Sequence, residues 1–187
     1  MIIKIAELKD IDGILELHNK YQIDSIEQED KKDGFVTTAF TKEQLSDIIH
    51  AEQGIFIAIK DDIVLGYVMS ASWQYWGKWP MFAYMIEHLN ELEYLGKKID
   101  VHNSYQYGPV CIHKSVRGSG LLEKLFNFSL ESMCKRYEIL VTFVNKINPR
   151  SMNAHEKKLG LTMIKEFEFN NNSYCEFVYD TSKRVII

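Results

Sequence analysis

The sequence predicts a single domain of the mixed α/β (α+β) class, with a central sheet of about six or seven strands flanked by helices. Three observations predict this class. A strand–helix–strand pattern runs through residues 105–145, and hairpin patterns lie before it at 54–72 and after it at 162–179. The chain has 187 residues, of which 46% are hydrophobic, so it is long and apolar enough to bury a sizeable core.

The first elements are a strand and two helices. Residues 2–6 alternate as a strand does, and Asp10 is expected to cap a helix over the apolar positions that come after it. Residues 24–34 are charged and poor in apolar side chains, which predicts a solvated surface loop. Thr41, with Gln44 three residues later, predicts a capping box at the start of the second helix.

A hairpin and an aromatic segment come next. Strand-like residues 54–60 and 63–72 are joined by two aspartates, which favours a tight turn. Residues 73–104 begin rich in aromatic side chains and continue with a helical pattern that Gly96 is expected to end. This segment is therefore interpreted as a helical insertion before the central strand–helix–strand unit.

The second half of the chain has the clearer pattern. A strand over 105–112 leads into a helix over 119–137 and a strand over 139–145. A shorter helix over 149–159, ended by Gly160, comes after them. The chain closes with its second hairpin, whose turn is marked by three consecutive asparagines.

Charge and cysteine content exclude several classes of protein. Lys and Arg number 22 against 26 Asp and Glu, so the net charge of −4 argues against a general nucleic-acid partner. Cys111, Cys134 and Cys175 are odd in number and lack paired metal-ligand spacing, which predicts reduced thiols, no metal site and a cytoplasmic protein. The apolar runs are too short to cross a bilayer, so no membrane partner is expected.

One motif points to a phosphorylated ligand. Residues 110–122 have the pattern of a short apolar strand, a basic turn with Arg117, Gly118 and Gly120, and the start of a helix. Such a turn collects free backbone N–H groups and the positive end of a helix dipole at one point. This arrangement binds a phosphate or pyrophosphate, although a glycine pair after a strand is also common in ordinary tight turns.

A second motif begins at Asn148-Pro149-Arg150-Ser151 and continues through Ala154-His155-Glu156-Lys157 to Leu159-Gly160. Together and in this order, the two motifs resemble those of the GNAT N-acetyltransferase superfamily, whose members transfer an acetyl group from acetyl-CoA to an amine. The resemblance is specific over about residues 105–161. It implies that residues 1–187 form one GNAT-like acetyltransferase domain with an aromatic helical insertion at 73–104.

The resemblance implies acetyl-CoA as the cofactor and a set of residues that hold it. The backbone N–H groups of the glycine turn would line the CoA pyrophosphate, with Arg117 supporting the turn. Main-chain groups of Val110 and Ile112 would pair with the pantetheine arm as an added strand does. The implied cofactor-binding residues are Val110, Cys111, Ile112, Arg117, Gly118, Ser119, Gly120, Leu121, Leu122, Asn148 and Ser151.

The resemblance assigns the catalytic groups less fully. His155 lies where the family often has a tyrosine that protonates the departing CoA thiolate, so His155 is the candidate general acid, with packing or cofactor lining as its alternative. Trp76, Tyr105 and Tyr107 are the candidate substrate-binding residues. The base that takes a proton from the acceptor amine is left unassigned.

Two departures from the family pattern lead to structural expectations. Leu122 occupies a position that is usually glycine or alanine in the family, and it is expected to crowd or shift the cofactor phosphates. The run 156–160 is one residue longer than the common spacing, so the end of this helix is expected to bulge.

Two functions from different classes remain in view. The first is an N-acetyltransferase that acts on a primary amine of a small molecule, by direct transfer in a ternary complex. The second is a domain of the same fold that binds or senses CoA or acyl-CoA with little turnover. For the aromatic residues of 73–84, packing in the core or contact between two copies in a homodimer are the alternatives to substrate binding.

Overall fold

The computed structural model describes residues 1–26, 31 and 34–187. The predicted charged loop at 24–34 therefore falls largely outside the described residues. The chain forms two compact units. Unit 1 comprises Met1–Ser70, Gly108–Ser129 and Ile186–Ile187, and unit 2 comprises Ala71–Tyr107 and Leu130–Val185.

The described part of the chain contains nine strands and six α-helices. The strands are β1 (Ile2–Ile5), β2 (Ile55–Lys60), β3 (Ile63–Ala71), β4 (Glu93–Tyr94), β5 (Lys97–Lys98), β6 (Ser104–Ile112), β7 (Ile139–Asn145), β8 (Thr162–Phe169) and β9 (Asn172–Asp180). The helices are α1 (Ile11–Tyr21), α2 (Lys42–Glu52), α3 (Trp73–Trp76), α4 (Pro80–His88), α5 (Leu121–Met133) and α6 (Pro149–Asn153). Among these residues, no helix combines the length and the apolar character needed to cross a membrane.

Seven of the strands form one mixed sheet in the order β1-β2-β3-β6-β7-β9-β8, and β4 pairs with β5 in a separate hairpin. At the centre of the sheet, Ser104–Gln106 of β6 pair in parallel with Ile139–Val141 of β7. The pairs β1–β2, β2–β3, β7–β9 and β8–β9 are antiparallel. The predicted mixed α/β class is confirmed, as is the strand–helix–strand unit at its centre, whose two strands prove to be parallel.

Unit 1 confirms two local predictions. The Thr41 hydroxyl accepts from the backbone N–H of Gln44 at 3.2 Å, and the Gln44 side chain accepts in return from the backbone of Thr41 at 2.9 Å. Asp61 and Asp62 join β2 to β3 with φ values of 51° and 60°. This left-handed pair twists with the strands, as two-residue hairpin turns do.

Asp10 precedes α1 at the N-cap position, as predicted, but its side chain does not cap that helix. A 3-10 turn over Leu8–Asp10 precedes that helix, and the side chain makes no capping hydrogen bond to it. Its carboxylate instead accepts from the backbone N–H of Glu7 at 2.8 Å and pairs with the Lys4 ammonium at 2.7 Å. The Asp10 carboxylate therefore caps the 3-10 turn that precedes α1 and not α1 itself.

In unit 2, the aromatic insertion is less continuous than predicted. Helices α3 and α4 and a 3-10 turn over Leu89–Glu91 lead into the β4–β5 hairpin. Gly96 does not end a helix; it forms the turn of this hairpin with Leu95, at φ values of 73° and 55°. The prediction failed because a glycine near a helical pattern serves equally well in a two-residue hairpin turn. Helix α5 also ends earlier than predicted, at Met133.

The predicted bulge after α6 is present. Helix α6 continues into a π turn over Ala154–Lys158, closed by a 3.0 Å hydrogen bond from the Leu159 N–H to the carbonyl of Ala154, five residues earlier. A π turn accommodates one extra residue in a helix without displacing the residues after it. Gly160 ends the element with φ of +69°.

Candidate functional site

The predicted phosphate turn lies in unit 1, between β6 and α5. After Ile112 the chain makes a 3-10 turn over Lys114–Val116 and reaches Gly118 and Gly120, both at φ of +78°. Side chains rarely adopt this conformation, so the turn requires glycine at both positions. A Cβ added at Gly118 would meet nothing within 4 Å, so backbone conformation and not crowding sets the requirement there.

The N-terminus of α5 faces this turn and begins after a glycine. Gly120 immediately precedes the helix and accepts the first helical hydrogen bond, from the N–H of Lys124 at 3.1 Å, but glycine has no side-chain acceptor to offer as a cap. The hydroxyl of Ser119 donates to the Val116 carbonyl at 2.6 Å. The N–H groups of Leu121 and Leu122 are therefore positioned to bind an anion at the positive end of the helix.

Two side chains hold the turn in place. The Nε group of Arg117 donates to the Ile112 carbonyl at 2.8 Å, and its guanidinium lies 4.9 Å from the ring centre of Tyr21. The Tyr21 hydroxyl accepts from the backbone N–H of Lys114 at 2.9 Å, across 93 residues of sequence. Sequence reasoning missed Tyr21, since no local pattern marks the last residue of α1 as a neighbour of the turn.

Positive charge collects beside the turn. The Lys20 ammonium lies 3.0 Å from Nε2 of His113. Partial burial lowers the pKa of His113, and the charges of Lys20, Arg117 and Lys114 lower it further. Three cationic side chains thus lie around one turn in a chain whose net charge is −4.

The strand that leads into the turn offers main-chain groups more than side-chain chemistry. Val110 and Ile112 are half-buried, and Cys111 between them is 4% exposed. Burial raises the pKa of the Cys111 thiol to about 12, which makes it a packing residue and a poor nucleophile.

The second motif lies in unit 2. The Asn148 side chain accepts from the N–H of Ser151 at 3.1 Å and caps α6, with Pro149 at the first helical position. His155 is 7% exposed, and its Nδ1 lies 2.8 Å from the carbonyl of Ser151. A carbonyl can only accept, so Nδ1 carries the proton and Nε2 of the neutral ring is an acceptor. Burial lowers the pKa of His155, which favours this neutral form.

The predicted substrate residues lie in different surroundings. Tyr107 meets His155 edge to face with ring centres 6.1 Å apart, and Phe177 stacks on His155 at 6.3 Å. Trp76 packs instead against Phe82 at 4.8 Å. Tyr105 shares a sheet face with Tyr107, two residues on, so the structure brings these two together but places Trp76 in another cluster. Each of the three predicted residues is fully buried.

Comparison with known proteins identifies the fold. No family model and no curated protein matches the sequence. The structure is similar to smu.2055 from Streptococcus mutans, with a TM-score of 0.64, 16% identity and coverage of 97% of this chain and 99% of the other. It is also similar to yncA from Salmonella typhimurium, solved with its cofactor acetyl-CoA (TM-score 0.63, 14% identity, 100% and 97% covered). A third similar structure is the ribosomal-protein-alanine N-acetyltransferase from Brucella melitensis (TM-score 0.62, 14% identity, 96% and 99% covered). The chain has the GNAT acetyltransferase fold.

One buried carboxyl of this GNAT fold was missed by sequence reasoning. Glu176 on β9 is 5% exposed, and its Oε1 has no hydrogen-bond partner among the described residues. Burial raises the pKa of Glu176 to about 7, against the opposing charges of Lys165 and His88. A signal was present in the sequence, because a single glutamate interrupts the otherwise apolar stretch from 175 to 179.

Proposed function

We propose that this chain is an N-acetyltransferase, which moves an acetyl group from acetyl-CoA to a primary amine of a small molecule by direct transfer in a ternary complex. The observation that carries the proposal is the turn at 117–120: two left-handed glycines, a helix N-terminus that begins after a glycine, and three neighbouring cations. This donor set fits a diphosphate. The acetyl-CoA held by yncA, which has the same fold, supports this choice of anion.

The proposal gives each part of the turn a task. The N–H groups from Gly118 to Leu122 bind the diphosphate of CoA, while Arg117 and Tyr21 keep the turn in its binding conformation. Main-chain groups of Val110 and Ile112 orient the pantetheine arm. Acetyl-CoA, when bound, supplies the acyl group as a thioester. Roles for Asn148 and Ser151 in binding the cofactor stay predictions from the resemblance.

We assign a small-molecule acceptor because two aromatic side chains of the insertion, Trp79 and Tyr84, are half-buried and can offer ring surface to a small ligand. Trp73, Tyr75 and Trp76, by contrast, are at most 6% exposed and pack in the core. The Brucella protein is named for a ribosomal-protein alanine, so a protein N-terminus is the acceptor against which a small amine is to be compared.

Isothermal titration of acetyl-CoA tests cofactor binding, with a pair of matched glycine variants. Gly118 and Gly96 have φ values of +78° and +73°, and a Cβ at either meets nothing within 4 Å. Gly118→Glu and Gly96→Glu therefore impose the same backbone strain and the same charge, but only Gly118→Glu places the carboxylate at the turn. We expect micromolar binding by the wild type and by Gly96→Glu, and roughly 30-fold weaker binding by Gly118→Glu. No binding by the wild type would refute the proposal.

Release of CoA thiol in the presence of a panel of amines then tests turnover. An acetyltransferase releases thiol with at least one primary amine and transfers the acetyl group to it, as mass spectrometry of the product shows. Tight acetyl-CoA binding without thiol release, across amines and N-terminal peptides alike, would instead favour the CoA-binding module.

A further inference from the structure

The surroundings of Glu176 are set by the register of three strands in unit 2. On one side Glu176 pairs with Phe143 of β7, and on the other with Lys165 of β8. Directly paired residues have their side chains on one sheet face, with Cβ atoms about 5 Å apart. Tyr174, two residues before Glu176, shares that face as well. The carboxyl group thus has the ring of Phe143 on one side, the Lys165 side chain on the other, and the ring of Tyr174 along its own strand.

Helix α4 adds to these rings, and we call the whole set the aromatic face: Phe82, Tyr84, Phe143, Phe167 and Tyr174. The ring of Phe82 lies 5.7 Å from that of Phe143, which lies 5.5 Å from Tyr174. Phe143 and Tyr174 are only half-buried, so the aromatic face offers ring surface to a ligand beside the buried carboxyl.

The basic side chains that face Glu176 are already bonded to another carboxylate. They are Lys165 on β8 and His88 at the end of α4. Both bond to Glu91: the Lys165 ammonium lies 3.0 Å from Oε2, and Nδ1 of His88 lies 2.8 Å from Oε1. Oε1 of Glu176 is left without a hydrogen-bond partner among the described residues. A buried polar atom in that condition is costly to the fold and calls for an explanation.

A ligand ammonium supplies what this site lacks. Its N–H groups would donate to the carboxylate, its charge would interact with the ring faces, and an apolar body would cover the aromatic face. We propose that Glu176 and the aromatic face bind the primary ammonium group of an aromatic or apolar small molecule, and that Glu176 is the base that deprotonates this acceptor. The ammonium-binding part stands by itself, whereas the base part rests on the proposed acetyltransferase function.

In the proposed reaction, proton transfer to Glu176 precedes acyl transfer to the amine. The acceptor ammonium gives one N–H proton to the Glu176 carboxylate, which leaves a neutral amine and a neutral carboxyl. The amine lone pair forms the N–C bond to the acetyl carbon as the C–S bond breaks, and the second amine proton leaves with the departing sulfur as thiol. Glu176 then releases its proton to solvent, which a pKa of about 7 allows near neutral pH.

Binding is tested first, without acetyl-CoA, by titrating 2-phenylethylamine and its uncharged analogue 2-phenylethanol into the protein at about pH 8. Glu176→Gln keeps the side-chain shape, and Glu168→Gln is the control, because Glu168 is an exposed carboxyl on the same hairpin. We expect the amine to bind wild type and Glu168→Gln equally and Glu176→Gln at least about tenfold more weakly. The alcohol should bind wild type and Glu176→Gln alike. The proposed site would be refuted if the amine bound the wild type and Glu176→Gln equally, or if it did not bind the wild type.

The base role has a separate readout in the pH profile of acetyl transfer. In Glu176→Gln, kcat should fall roughly 100-fold while the Kd of acetyl-CoA is unchanged. Its rate should also keep rising toward alkaline pH as free amine accumulates, whereas the wild-type rate levels off above about pH 7. Wild-type kcat and profile in Glu176→Gln would refute the base role. Failure of the wild type to bind acetyl-CoA would refute the acetyltransferase proposal but leave the amine titration as an independent result.

Discussion

Two buried titratable side chains of unit 2 differ in how their polar atoms are satisfied. His155 donates from Nδ1 to the Ser151 carbonyl and lies between the rings of Tyr107 and Phe177. Glu176 is buried as well, but its Oε1 finds no partner among the residues described. A satisfied buried group is explained by the fold that contains it, whereas an unsatisfied one is destabilising and is better explained by a ligand. This contrast is the reason that we place proton transfer at Glu176.

His155 is therefore expected to be dispensable for the chemical step. A neutral imidazole whose only proton is bonded to a backbone carbonyl has none to give, and burial disfavours the imidazolium. His155→Phe preserves the stacking and should leave kcat for acetyl transfer within about threefold of the wild type. Steady-state kinetics with the best amine provides the measurement. A loss of roughly 100-fold in His155→Phe, with unchanged acetyl-CoA binding, would restore His155 as the general acid.

At the scale of elements, the π turn after α6 shows how the fold absorbs one additional residue. The turn over Ala154–Lys158 contains the extra residue that lengthens the second motif. Leu159, which comes directly after the turn, is still buried. Lys157 within it is exposed. The insertion is thus confined to a solvent-facing bulge, and the residues on either side keep their buried positions.

Removing one residue from this turn should consequently be tolerated. Deletion of Lys157 converts the π turn into an ordinary helical turn, and we expect it to cost about 1–2 kcal/mol of unfolding free energy. Deletion of Lys124, which is exposed like Lys157 but lies within the regular helix α5, is the comparison. It rotates the buried Leu125, Phe126 and Leu130 out of register and should cost more than about 4 kcal/mol. Urea denaturation of both variants measures the difference, and equal losses would show that the π turn is not a simple insertion.

Much of the fold and part of the site could be predicted from short-range sequence patterns. The capping box at Thr41, the aspartate hairpin and the glycine turn each depend on residues within a few positions, and each was predicted. The bonding of the Asp10 side chain and the place of Gly96 differ from the predictions because each pattern suits two local structures, between which the surrounding fold decides. Residues whose importance depends on distant pairing were missed, namely Tyr21 beside the turn and Glu176 between β7 and β8.

At the scale of the whole molecule, charge is unevenly distributed. The chain is acidic overall, with 26 acidic and 22 basic residues, yet Lys20, Lys114 and Arg117 lie together at one turn of unit 1. The net negative charge of the chain repels polyanions, whereas a local cluster of cations binds a single small anion. The combination agrees with a CoA diphosphate as the anion and with the absence of any general basic surplus in the sequence.

The buried carboxyl of Glu176 should make the stability of the protein depend on pH in a definite direction. Its pKa of about 7 in the folded state exceeds its ordinary value of 4.5, so the folded state retains a proton that the unfolded chain has released. Stability from this group therefore falls as pH rises from about 4.5 through 7, by roughly 3 kcal/mol in total, and the loss is complete above that range.

Glu176→Gln removes this dependence. Relative to wild type, the variant should gain most of that free energy between about pH 5 and pH 8 in urea denaturation, while Glu168→Gln behaves as the wild type does. Suppose instead that the unfolding free energies of the wild type and of Glu176→Gln change in parallel across this range. Glu176 would then be charged in the folded protein at all these pH values. It would neither destabilise the fold as pH rises nor suit the role of a base near neutral pH.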